Sequence, residues 1–194
     1  MFEIINFKIF LFSALLFFIG YALAPTVYYK EINWLVKYPM WIVNWLDSFA
    51  KKNWKPVFLF GFLFALNTLS LMIDLLSAIV PVLPFIFAIW TGLNIGIVTY
   101  HTLEGHYYFT ALFNPVAFFE LPAAFITFAM AFQYNLSNLG ITSISKVTWQ
   151  DISFQRYLFL FLVIVLPILL MAGIIETYLI HISRDMGDGT DKDA

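Results

Sequence analysis

Three carboxylates lie within or at the edges of long apolar stretches of this 194-residue sequence: Asp74, Glu120 and Glu176. A charged side chain in a membrane costs a few kcal/mol on insertion scales, so it normally faces protein, water or a partner. Such groups can form a path for protons or cations, to which His101 and His106 could also contribute. The alternative is that Asp74 and Glu176 lie at helix ends, where water and headgroups solvate them.

Glu120 is a different case, because it lies inside its apolar stretch and must have a partner there. Pro122 has no N–H to donate to the carbonyl of Phe118, which leaves a backbone acceptor needing another donor. Nearly all Lys and Arg residues lie outside the apolar stretches, so we expect a neutral or amide-bonded Glu120 carboxyl. Besides backbone of the second and third spans, its candidate partners are Asn67, Thr91 and Asn94.

The segment from His101 through Glu104 to His106 resembles the H-x-x-E-H signature of zinc peptidases. Two histidines five residues apart do not share a helix face, however, and no third ligand is evident. The sequence contains no cysteine, no Gly-x-Ser-x-Gly elbow, no phosphate-binding loop and no dinucleotide fingerprint. We therefore expect no catalytic residues, no metal, no cofactor and no enzymatic activity.

Composition indicates the setting in which these polar residues act. Hydrophobic residues make up 62% of the chain and charged residues 11%, against roughly 45–50% and 25% in soluble domains. Lipid is the solvent in which so much apolar surface is stable. A net charge of −2 gives no basic surface for nucleic acid. The sequence predicts an all-α, polytopic integral membrane helix bundle with a single transmembrane domain over residues 1–194.

Five stretches are long and apolar enough to cross a hydrocarbon layer of about 30 Å. They cover approximately residues 9–29, 57–79, 84–102, 114–134 and 157–180. Asn114 and Pro115 form a typical helix start, and Pro167 is expected to kink the last span. Residues 133–150 are predicted to form a polar loop with a short amphipathic piece around 141–149.

The segment Glu31–Trp54 is too polar to span, but its aromatic residues recur at helical spacing. This pattern predicts an interfacial amphipathic helix that lies on lipid and is broken near Pro39, with a soluble linker as the alternative. Five spans place the two termini on opposite faces. Seven Lys and Arg then share the face of this segment and three share the other, which favours a cytoplasmic location for residues 30–55 and the C-terminus.

Small and amide residues inside the spans predict helix contacts. Gly92 and Gly96 are four residues apart, so both lie on one face of a helix and allow another backbone to approach closely. Asn67 lies in the middle of the second span, where an amide is expected to hydrogen-bond to a neighbouring helix.

These residues, in this order, resemble the stage II sporulation protein M family, also called DUF95. The family pattern is approximately an Asn, then Asn-Gly-x-x-x-Gly, then Pro-His-Gly-x-x-Glu-x-Pro-Ala, then an Ile-Glu pair. The matching residues are Asn67, Gly92, Gly96, Pro115, Glu120, Pro122, Ala123, Ile175 and Glu176. The match covers about residues 59–180. Thr91 replaces the second Asn, and Val116-Ala117 replaces the His-Gly pair, so any chemistry of that histidine is absent here.

The best-understood members of this family recruit cell-wall hydrolases to a membrane site during engulfment in sporulation. The resemblance therefore implies a multi-pass protein of the cell membrane that acts as a scaffold or accessory subunit and organises other membrane proteins, with copies of itself among the candidate partners. The alternative function is a transporter or channel subunit that uses Asp74, Glu120 and Glu176. An intramembrane hydrolase or metalloenzyme is the third hypothesis.

Overall fold

The computed structural model describes residues 5–50, 54–140 and 153–190, and within them it contains helices and turns but no strand. This confirms the all-α fold class. The helices are α1 (Phe7–Tyr29), α2 (Asn33–Ala50), α3 (Pro56–Leu76), α4 (Leu83–Thr102), α5 (Ala117–Asn138), α6 (Phe154–Leu160) and α7 (Leu166–Thr190). A 3₁₀ turn, Ser77–Ile79, extends α3, and a π-helical turn, Phe161–Val165, joins α6 to α7.

Five of these helical segments are long and apolar enough to cross a membrane. They are Phe7–Tyr29, Pro56–Ile79, Leu83–Thr102, Ala117–Asn138 and Phe154–Ile182. Helix α2 is not among them, and its Trp34, Trp41 and Trp45 side chains are exposed. Its placement at a lipid surface remains a prediction.

Contacts along the helices define two ends of the bundle. The α2 end carries α2, the loop 103–116 and the C-terminal part of α7; the opposite end carries the start of α1 and the α3–α4 turn. The backbone N–H of Asn6 donates to Gln133 near the end of α5, at 3.2 Å. Near the α2 end, by contrast, Tyr28 of α1 contacts His101 of α4. Helices α1 and α4 are therefore parallel, and α5 runs antiparallel to both.

Helix α5 forms the centre of the bundle. In the 18-residue apolar stretch of α5 that could cross a membrane, 56% is buried, whereas only 11% of the corresponding stretch of α3 is buried. Phe128 and Phe132 of α5 are fully buried in the main core, together with Leu75 of α3 and Val165 near the start of α7. The core therefore assembles around α5, and α3 lies at the periphery.

The C-terminal boundary predicted for the fourth span was wrong. Residues 133–138 continue α5 instead of starting a polar loop, and the predicted amphipathic piece 141–149 falls outside the described residues. Gln133 and Asn135 are both buried and hydrogen-bonded by other segments, which lets the helix continue through them. At the other end, α5 begins at Ala117, three residues after the predicted start at Asn114. The side-chain oxygen of Asn114 still accepts the N–H of Ala117, at 2.8 Å.

Two prolines have different effects on their helices. The break predicted near Pro39 is wrong, because α2 runs from Asn33 to Ala50 with Pro39 inside it and buried. Pro167 lies two residues after the end of the π-helical turn Phe161–Val165, and the carbonyl four residues before it belongs to that turn. A proline ring clashes with the carbonyl four residues earlier, and a wider turn at that point accommodates it. The predicted distortion of the last span is therefore a π turn.

Candidate functional site

The centre of the site is a hydrogen bond between two membrane-spanning helices. The side-chain amide of Asn67 in α3 donates to Oε1 of Glu120 in α5, at 2.5 Å. Both residues are partly buried. Glu120 lies in the first turn of α5, three residues after its start at Ala117. Its carboxyl is nevertheless partly buried against α3, where the Asn67 amide is its protein partner.

The Asn67–Glu120 pair lines a cavity of about 210 Å³ on the α2 side of the bundle. The wall of the cavity is formed by α1, α3, α4, α5 and the loop 103–116. Leu169 of α7 also lines it. Its polar lining residues are Tyr21, Asn67, Ser70, Thr91, Thr99, Asn114 and Glu120. The predicted Asn67, Thr91 and Glu120 therefore converge on one space from three different helices.

The other two carboxylates occupy different positions. Glu176 of α7 lies close enough to Glu120 for their charges to interact, and its Oε2 is buried without a hydrogen-bond partner. Asp74 of α3 is also buried, with Oδ2 unpartnered, but it does not line the cavity. Of the three residues of the hypothetical ion path, Glu120 therefore lines the cavity, Glu176 lies within electrostatic range of it, and Asp74 lies elsewhere on α3. Asn94 does not line the cavity either, and its Oδ1 is likewise buried and unpartnered.

Gly92 and Gly96 lie where α4 crosses α1. A Cβ atom on Gly92 would overlap the backbone carbonyl of Phe17, and one on Gly96 would press against the Cβ of Ala24 at 2.5 Å. Gly20 of α1 makes the reciprocal approach to the carbonyl of Ile89. Close backbone contact of this kind is what the GxxxG spacing predicts. It fixes α4, and with it Thr91, against α1.

Two tyrosines hold the loop 103–116 against α1. The Tyr21 hydroxyl donates to the carbonyl of Tyr108 at 2.7 Å, and the Tyr108 hydroxyl donates to the carbonyl of Tyr21 at 2.5 Å. Their rings stack with centroids 4.4 Å apart. Burial raises the pKa of the Tyr108 hydroxyl, so it stays a donor. Because Tyr21 also lines the cavity, this reciprocal pair positions part of the cavity wall.

Sequence reasoning missed the role of Asn135. Its amide donates to the carbonyls of Ala78 and Val80 at 2.9 and 2.8 Å, and its Oδ1 accepts the N–H of Val82 at 3.2 Å. The spacing of Phe128, Phe132 and Asn135 at i, i+4 and i+7 places Asn135 on the buried stripe of α5, and this was the available signal. Asn135 therefore clamps the α3–α4 turn.

The histidine segment lies at the α2 end of the bundle. Nδ1 of His101 lies 2.8 Å from the Tyr28 hydroxyl. In residues 5–50, 54–140 and 153–190, no three His, Cys, Asp or Glu side chains come together in a way that could hold a metal ion. His101 and Glu104 line a separate depression of about 570 Å³ at the α2 end.

Comparison with known protein families places these features in context. The family model described as stage II sporulation protein M matches residues 8–179, which include α1 and all the residues that line the cavity. The matched range extends further toward the N-terminus than the range of about 59–180 over which the sequence pattern is recognisable. No curated protein and no solved structure matches the chain.

Proposed function

Because the chain belongs to the stage II sporulation protein M family, we propose that it is a non-catalytic, multi-pass protein of the cell membrane that organises other membrane proteins as a scaffold or accessory subunit. Its five apolar helices fit membrane insertion. The observation that supports a partner-binding role is the exposed side of α3.

Helix α3 has a continuous side that the described part of the chain leaves uncovered. Exposed residues recur along it at helical spacing, among them Phe58, Gly61, Ala65, Leu69 and Ile73. A Cβ added to Gly61 would meet nothing within 4 Å. Gly61 and Ala65 are four residues apart, a spacing that lets a second transmembrane helix approach closely. We therefore propose that α3 carries the contact with partner proteins.

Site-specific cross-linking tests this proposal, because the absence of cysteine makes single-cysteine variants specific. A benzophenone attached at Ala65→Cys in native membranes is expected to form adducts with a protein, which mass spectrometry then identifies. Leu15→Cys serves as the matched control, since Leu15 lies on the apolar side of α1 and is 54% exposed. Protein adducts from neither position, or equally from both, would contradict the proposal.

The cavity supports a second candidate, a transport or channel subunit, because the Glu120 carboxyl lines a space inside the bundle. In that case Glu120→Gln abolishes proton or cation flux into liposomes while thermal stability is kept. A scaffold shows no flux to lose. Flux measurements on the wild-type chain and on Glu120→Gln therefore distinguish the two functions.

A further inference from the structure

The cavity beside Glu120 differs chemically from the rest of the bundle interior. The Asn67–Glu120 pair lines it together with three residues that carry hydroxyl groups, Ser70 of α3 and Thr91 and Thr99 of α4. From these features we infer that the cavity is a binding site for a monovalent metal cation with oxygen ligands. This inference goes beyond the scaffold function and does not depend on it.

The cavity is large and carries seven polar side chains in its lining. Helix bundles are normally close-packed, so a space of this kind is unusual in the interior of an apolar bundle. About 210 Å³ exceeds the roughly 30 Å³ share of one water molecule several times. A partly hydrated cation fits this volume. The oxygen atoms of one carboxylate, one amide and three hydroxyls are ligands suited to hard cations.

The Glu120 carboxyl has no positively charged neighbour in the cavity. Among the described residues, no Lys or Arg lines this space. The side-chain partner of the carboxyl is the uncharged Asn67 amide. A bound cation therefore compensates the charge of an ionised Glu120.

The ligands favour a monovalent cation over a divalent one, and the cavity extends toward one end of the bundle. Divalent ions favour sites with several carboxylate ligands, and here one carboxylate, Glu120, lines the space. Asn114, Ala111 and Leu112 of the loop 103–116 also belong to the lining. The cavity thus extends from the level of Glu120 to the α2 end, where a cation can arrive from water.

Cation-dependent thermal stability of the purified chain in detergent tests this inference. The unfolding midpoint is followed by the fluorescence of the six tryptophans in NaCl, KCl or LiCl. N-methylglucamine chloride at equal ionic strength is the reference. At least one alkali cation is expected to raise the midpoint in a saturable way, because a ligand that binds only the folded state stabilises it.

Three variants locate the effect. Glu120→Gln keeps an oxygen acceptor for Asn67 and is expected to fold but to lose the cation-specific rise. Thr91→Val is expected to raise the half-saturating concentration about tenfold, which corresponds to the loss of one ligand contact. Glu31→Gln is the matched control, since Glu31 is exposed between α1 and α2, and its response is expected to equal that of wild type.

Equal midpoints in all four salts would overturn the inference, as would a full cation response in Glu120→Gln. If Glu120→Gln does not fold, the half-saturating cation concentration is measured for Thr91→Val and Ser70→Ala instead. A value equal to that of wild type in both variants would refute the site. Stabilisation by CaCl₂ or MgCl₂ at lower concentrations than by any alkali salt would refute a monovalent cation. The purified chain contains no partner, so this result is independent of the cross-linking result.

Discussion

Glu120 is held by an interhelical amide instead of a basic residue, and this determines how its substitution should behave. The amide of Asn67 donates to Oε1, and an uncharged amide tolerates either a carboxylate or a neutral acceptor at position 120. The contact therefore needs an oxygen acceptor more than it needs a charge.

Glu120→Ala is expected to lower the free energy of unfolding by about 1–3 kcal/mol, because it leaves the Asn67 amide without its acceptor. Glu120→Gln keeps an acceptor oxygen and should stay close to wild type in N-methylglucamine buffer. Thermal and denaturant unfolding in mild detergent measure both variants. Equal destabilisation by the two substitutions would contradict the hydrogen-bond explanation.

Val82 carries backbone strain in the α3–α4 turn. Its φ is +68°, a left-handed conformation that is rare for a β-branched residue. Val82→Gly removes this strain and is expected to stabilise the fold by up to about 1 kcal/mol, after the greater freedom of glycine in the unfolded chain is counted. Val80→Gly is the control. Val80 has an extended backbone without strain, so this substitution is expected to destabilise the fold. Unfolding midpoints compare the two variants.

Helices α1 and α4 pack through glycine, and this contact has a direct internal comparison. Gly92 faces the carbonyl of Phe17, whereas Gly61 of α3 faces open space. The same chemical change at these two positions therefore meets two different environments within one fold.

Gly92→Ala is expected to destabilise the bundle by about 1–3 kcal/mol, because the added methyl group overlaps α1 and the helices must separate. Gly61→Ala is expected to stabilise it by about 0.5–1 kcal/mol, because alanine has the higher helix propensity and nothing obstructs it. The unfolding midpoint in detergent should shift in opposite directions. A shift in the same direction for both would show that the α1–α4 contact is not tight.

The described residues contain five candidate spans, and if all five cross the membrane, the two termini are expected on opposite faces. Lys8 lies at the start of α1, and Lys30 follows its end directly. Both are exposed. Charge counts favour a cytoplasmic location for the α2 end.

Single cysteines at Lys8→Cys and Lys30→Cys are therefore expected to react with a membrane-impermeant maleimide from opposite sides of sealed vesicles. Glu104→Cys, in the loop 103–116, should label from the same side as Lys30→Cys. The chain has no cysteine of its own, so the maleimide labels it only at the introduced position. Labelling of Lys8→Cys and Lys30→Cys from one side would exclude a crossing by α1.

The sequence alone determined the membrane class, the five apolar spans and the role of the Asn114 side chain as an acceptor at the start of α5. Hydrophobicity and helix capping are local properties, and they can be identified from consecutive residues. Asn67 was also among the partners predicted for Glu120, because a buried carboxyl without a nearby cation requires an amide or hydroxyl from an adjacent helix.

Only the tertiary structure decided which helices meet. It placed α1 against Gly92 and Gly96 and brought Glu176, but not Asp74, near Glu120. It also carried α5 through Gln133 and Asn135, whose polarity suggested a loop. These outcomes depend on partners far away in sequence: a polar residue continues a buried helix when another segment satisfies it, and a cavity exists only where several helices fail to fill the space between them.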